Sequence, residues 1–297
     1  MTRLFATLAL AILFGVGCGG GNASSPPGTG PIPVVATTTV LADIVARVGA
    51  EQVIVTSLVP KGGEVHTFDP SPRDVGRVES ARLIVANGLG LDDWLTQLAR
   101  DAGTTAEVAV LGDAVPAADL ILEDDRPNPH AWLDPSLAAA YGQAAAEALA
   151  RTDPPNADAY TVNALRFAME MSALSDELRA RFEAVPPANR KIVSFHDAMP
   201  YFARAFGLDI VGNIVSAPGQ DPSAGELAAL IDAIRSSGAK AILSEVQFDD
   251  ELARTIAAET GATVVSDLYT DSLGDPPVDT YAGILRWDVD RIVDALR

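Results

Sequence analysis

From Pro33 onward, short β-branched runs alternate with longer alanine-rich amphipathic runs, and this alternation restricts the fold more than any other feature of the chain. The β-branched runs cover 34–38, 53–59, 83–87 and 107–111, and then 191–196, 210–215, 241–246 and 263–267. Helical spacing of apolar residues fills intervals near 41–49, 73–81, 92–102, 199–206, 224–237, 250–260 and 280–296. Strands separated by helices need crossover connections, which argues for parallel sheets in an α/β architecture. Two groups of four strands predict two lobes, each a mainly parallel four-stranded sheet flanked by helices.

The segment between the groups has a different texture. Asp134 before Pro135 reads as the N-cap and first-turn proline of a helix running to about Arg151. Residues 156–184 contain neither Gly nor Pro, and Ala164, Phe167, Ala168, Met171, Leu174, Leu178 and Phe182 recur at helical spacing. A helix of that extent reaches about 40 Å at 1.5 Å per residue. It predicts a rigid link over 154–186, joining an N-terminal lobe (33–153) to a C-terminal lobe (187–297). Ser223 and Glu226 form a capping-box pattern at the start of another helix. Gly88-Leu-Gly90 follows a strand but lacks the third glycine of a dinucleotide fingerprint, so it reads as a close-packing turn.

The first 32 residues read as a leader and a tether. Arg3 precedes the apolar stretch 4–16, which is too short to span a bilayer and suits a secretory signal ending at residue 17. Small residues then meet Cys18, the only cysteine, a pattern that reads as a lipidation site joining the chain to membrane lipid. Residues 18–32, rich in Gly, Ser and Pro, read as a flexible tether. Together they place a water-soluble domain in the cell envelope, outside the cytoplasm; a monomer is expected. The formal charge of −19 argues against nucleic acid as a partner.

Chemistry concentrates on three histidines, the only ones in the chain. His66, His130 and His196 each sit in a polar loop beside an apolar run, 64 and 66 residues apart. Imidazole is the commonest protein ligand for borderline divalent metals. His66 follows the strand at 53–59, His196 ends the strand at 191–196, and Asp271 follows the strand at 263–267. Ligands of open α/β sheets bind beyond the carboxyl ends of strands. No HExxH, phosphate-loop or EF-hand pattern is present.

The same residues carry a resemblance. His66-Thr-Phe-Asp-Pro-Ser-Pro-Arg-Asp74, Ala86-Asn-Gly-Leu-Gly-Leu-Asp-Asp-Trp-Leu95, Pro129-His-Ala-Trp-Leu-Asp-Pro135 and the run from Phe195 to Gly207 occur in one order. Pro218–Glu226 and Ser244–Phe248 continue that order. Over residues 33–297 the chain resembles the metal-specific solute-binding proteins of bacterial ABC importers, the group typified by ZnuA and TroA. The resemblance implies two α/β lobes joined by one long helix, with metal in the cleft. It also implies His66, His130 and His196 as ligands, with a fourth, carboxylate ligand best matched by Asp271. Glu245, near the end of its strand, is the rival, either as a direct ligand or as a group orienting one. Asp267 reads as an acid that merely closes a strand.

Three neutral imidazoles and one carboxylate around a divalent cation leave a net charge of +1. In the family this chain resembles, a glutamate at the third ligand position goes with manganese, so the resemblance, with His196 at that position, implies Zn2+ rather than Mn2+ as bound cargo. The acidic, His-rich loop common in zinc members is reduced here to Glu123-Asp124-Asp125. The expected function is capture of a divalent metal and delivery to an ABC-type membrane permease, without catalysis. The alternatives are a secreted zinc hydrolase, with Glu245 as its only candidate general base, and an adhesion protein stabilised by metal.

Overall fold

Eight strands pair in parallel to form two separate sheets in the computed structural model of the chain, which describes residues 30–297. The signal segment, Cys18 and most of the tether lie outside the described residues. The first sheet holds β1 (Ile32–Ala36), β2 (Val53–Ser57), β3 (Leu83–Ala86) and β4 (Glu107–Val110) in the order β2-β1-β3-β4. A two-stranded hairpin follows, β5 (Leu122–Glu123) with β6 (Arg126–Pro127). The second sheet holds β7 (Lys191–Ser194), β8 (Asp209–Asn213), β9 (Ala241–Glu245) and β10 (Thr263–Leu268) in the order β10-β9-β7-β8. The helices are α1 (Thr39–Gly49), α2 (Pro72–Ser80), α3 (Trp94–Asp101), α4 (Pro135–Thr152), α5 (Ala157–Phe182), α6 (Pro200–Phe206), α7 (Ala224–Ser237), α8 (Glu251–Thr260) and α9 (Tyr281–Leu296).

Local chemistry explains the helix starts. Thr38 caps α1 by accepting from the Leu41 amide at 3.2 Å, and Asp134 caps α4 by accepting from Ser136 at 2.8 Å. At α7 the Ser223 hydroxyl accepts from the Glu226 amide while the Glu226 carboxylate accepts from the Ser223 amide. The Gly88-Leu-Gly90 turn has all three residues at positive φ, and a Cβ on Gly88 would collide with Val110.

The long helix is a packed spine. Tyr160, Ala164, Phe167, Met171, Leu174, Leu178 and Phe182 form the buried face of α5, which lies along α4, α1 and α9. Burying each of the larger side chains stabilises the fold by roughly 1.5–3 kcal/mol. Gly142 on α4 admits Phe167, because a Cβ there would lie 2.5 Å from the ring. The resulting apolar core is continuous from the first sheet, through α1, α4, α5 and α9, to one face of the second sheet. Separate apolar layers cover the opposite faces, under α2 and α3 in one lobe and under α7 and α8 in the other. Both sheets are thereby held with their loops toward a common cleft.

Candidate metal centre

The cleft has a volume of about 490 Å³, and its wall includes His66, His130 and His196. His66 comes from the loop after β2. His130 precedes the short helical turn Ala131–Leu133 that leads into α4, and His196 lies two residues beyond β7. Asp271 follows β10 and lies beneath them, 1% exposed. Each of the four offers one ligand atom, and these atoms lie within 4.8 Å of one another. His66 Nε2 is 3.2 Å from His130 Nε2. Asp271 Oδ1 is 3.6 Å from His130 Nε2, and its Oδ2 is 3.6 Å from His196 Nε2 and 3.9 Å from His66 Nε2. Four donors at 2.0–2.1 Å from a tetrahedral zinc stand about 3.3–3.4 Å apart. The separations of 3.2–3.9 Å lie near or slightly above that value, so the four donors could close around a single ion.

Hydrogen bonding points the same way. His196 Nε2 and Asp271 Oδ1 are buried without a hydrogen-bond partner among the described residues, as are His196 Nδ1 and both Glu245 carboxylate oxygens. Such atoms are costly unless something else satisfies them. Among the described residues no lysine or arginine forms an ion pair with Asp271, whose ionic neighbours are the three histidines.

Glu245 occupies a different position. It ends β9, a central strand beside β7, and is fully buried, so it is not a surface carboxylate. Its Oε1 lies 3.1 Å from His196 Nδ1, on the side of the ring away from Asp271. The two groups meet as an ion pair without hydrogen-bond geometry, and Nε2 lies on the cluster side of the ring. The pair sits where the strand order of the second sheet reverses, between β7 and β9. Asp267 faces elsewhere: it is half exposed and pairs with Arg291 at 3.0 Å.

Burial and charge set the protonation states. Burial, aided by the charge on His196, lowers His66 to about 4 and pushes His130 well below its ordinary value. His196 goes the other way: burial opposes its charge, but Glu245, then Asp271 and Glu64, outweigh that and raise it to about 9. Burial raises Asp271 to about 7, against the pull of His196.

Several contributors were not singled out from sequence. Glu64 accepts from the His66 amide at 2.7 Å, and burial raises its pKa. Its place two residues before His66 in a polar loop was the available signal. Gln247 donates to Asp271 Oδ2 at 3.3 Å. The Asp271 loop is also bound to the first lobe: the Trp132 indole donates to Thr270 O, the Gly62 amide to Ser272 Oγ, and the Leu273 amide to Thr39 Oγ1. These partners come together only in the fold.

Comparison with known proteins identifies the family. Residues 34–295 match the model of the family described as zinc-uptake complex component A, periplasmic. The manganese-binding lipoprotein MntA of Halalkalibacterium halodurans is 27% identical over 98% of this chain and 97% of its own length. The iron ABC transporter substrate-binding lipoprotein MtsA of Streptococcus pyogenes is 26% identical over 89% of each chain. A Mn-bound periplasmic metal-binding protein from Candidatus Liberibacter asiaticus superposes with a TM-score of 0.80 at 29% identity, covering 90% of this chain and all of that one. The chain belongs to the zinc-uptake complex component A family, whose members are metal-binding substrate-binding proteins of ABC importers.

Proposed function

We propose that this chain captures a divalent transition-metal ion outside the cytoplasm, with His66, His130, His196 and Asp271 as its ligands, and delivers it to an ABC permease. The observation that carries this reading is the convergence of four donor atoms within 4.8 Å at the floor of the cleft. Three nitrogens and one oxygen in a buried, four-donor arrangement suit zinc better than manganese, which takes more oxygen donors and higher coordination. Zinc is therefore the proposed cargo, although the relatives described above are named for manganese and iron. Lipid attachment through Cys18 would keep the monomeric carrier near its permease. No helix among the described residues is long and apolar enough to cross a membrane.

A hydrolase reading is less well supported. Asp271 takes the fourth donor position, and Glu245, the candidate general base, is fully buried against His196. The test is metal analysis of the purified protein followed by competition titration of zinc against manganese, for the natural chain and for His130→Ala. Zinc should bind with the higher affinity, and His130→Ala should weaken it by about 100-fold or more while leaving the fold intact, since one of four ligands is lost. Equal zinc affinity in the two proteins would remove His130 from the site. Unfolding of a lobe on metal removal would favour a structural metal instead.

A further inference from the structure

We infer that Asn128 is a positioning residue that orients His130 and clasps the second lobe to it, an inference that rests on the metal-capture reading above. Asn128 is 4% exposed, and its amide uses its full hydrogen-bonding capacity. Its Oδ1 accepts from the His130 backbone amide at 3.0 Å and lies 3.1 Å from His130 Nδ1. Its Nδ2 donates to the Asp197 carbonyl oxygen at 2.8 Å and to Asp197 Oδ2 at 2.7 Å. The amide cannot be turned over, because a backbone N–H fixes one end as the acceptor and a backbone carbonyl fixes the other as the donor.

That fixed direction carries through to the metal ligand. An acceptor facing His130 Nδ1 makes that nitrogen the N–H of the neutral ring, so the Nε2 lone pair faces His66 and Asp271. The clasped residue on the other side, Asp197, directly follows His196. One side chain therefore sets the tautomer of a first-lobe ligand and tethers the turn that bears the second-lobe ligand. The backbone of Asn128 is itself held, its amide bonded to Ile121 O at 2.8 Å and its carbonyl accepting from the Tyr201 hydroxyl at 3.0 Å. Asp197 is steadied from its own lobe by Asn213 Nδ2 at 2.9 Å.

Two substitutions separate the roles. Asn128→Ala removes both, whereas Asn128→Asp keeps an acceptor for His130 and loses both donors to Asp197. The readouts are long-range proton–nitrogen spectra at pH 8, which report each ring tautomer and are tractable with only three histidines, together with zinc affinity and dissociation rate. Asn128→Ala should mix the His130 tautomers and weaken zinc binding by about 10–100-fold. Asn128→Asp should keep the Nδ1–H tautomer yet release zinc about tenfold faster, within the same range. A single Nδ1–H tautomer with affinity within about twofold of the natural chain in Asn128→Ala would overturn the inference. An unchanged release rate in Asn128→Asp would overturn the clasp, and this variant decides the matter should Asn128→Ala fail to fold. Loss of zinc binding in His130→Ala alongside unaltered Asn128 variants would sink only this inference. Absence of zinc binding by the natural chain would sink the reading beneath it.

Discussion

Loading the centre with zinc should expel protons, and the structure sets how many. Before the ion arrives at pH 7, His196, raised to about 9, is almost fully protonated, and Asp271, raised to about 7, is about half protonated. His66, lowered to about 4, and His130, pushed well below its ordinary value, are already neutral. Ligands must be deprotonated to bind, so each ion should displace about one proton from His196 and about half from Asp271, or about 1.5 in all. Both groups hold protons that compete with the metal below their raised pKa values, so affinity must climb as pH rises. Taking each group by itself, the two titrations multiply to an increase of about 100-fold between pH 7 and pH 9, about 50-fold from His196 and about twofold from Asp271. Ordinary imidazoles near 6.5 would instead put the change toward pH 6 and leave affinity almost flat above 7.5. The assay is calorimetric titration of zinc at pH 7 in buffers of different ionisation enthalpy. It is paired with chelator competition from pH 7 to 9, corrected for zinc hydrolysis and chelator protonation. Proton release indistinguishable from zero, or an affinity that does not change over that range, would refute the assignment of a charged His196 beside Glu245.

Two other substitutions probe the same framework. Glu245→Gln removes the negative charge that raises His196, so the proton release carried by His196 and the gain in affinity from pH 7 to 9 should both fall; the same calorimetry checks it, and an unchanged release and pH dependence would contradict it. Gly142→Ala should destabilise the chain by about 1–3 kcal/mol, despite the better helix propensity of alanine, because the added methyl meets Phe167 in the α4–α5 contact. Urea unfolding would measure that loss, and zinc affinity should not change, since the contact is remote from the cleft.

The architecture was legible because its signal is periodic. Eight β-branched runs became eight sheet strands, and the Gly- and Pro-free run became α5, somewhat shorter at each end. Several strands stop short of where the apolar run suggests: β7 ends at Ser194 and β3 at Ala86. Beyond β7 the chain leaves the ladder and places His196 in the candidate site, whereas Asn87 beyond β3 bonds within its own lobe, to Asp92, Pro129 O and the Tyr141 hydroxyl. The β5–β6 hairpin was missed, since each strand has only two residues and Glu123-Asp124-Asp125 read as a remnant acidic loop. Its positive φ at Asp124 and Asp125 is the signature of a two-residue hairpin turn, which adjacent aspartates can adopt. The histidines stood out by scarcity. The contact between Glu245 and His196 did not, because it depends on which strands are neighbours, and strand order is not written in local periodicity. Asn128 was hidden for a related reason, since its amide spans two segments 69 residues apart.

The way the Asp271 loop is fastened has a consequence for letting the ion go. Although this loop follows a strand of the second sheet, Trp132, Gly62 and Thr39 bind it to the opposite side of the cleft. Asp271 is thus tied to both halves, since Gln247 of the second lobe also donates to its carboxylate, and the turn bearing His196 is held to the first lobe through Asn128 and Asp197. Parting the two halves would have to break these cross-cleft bonds before any one donor could draw away, so letting the ion go is coupled to undoing the fastenings of His196 and Asp271 together.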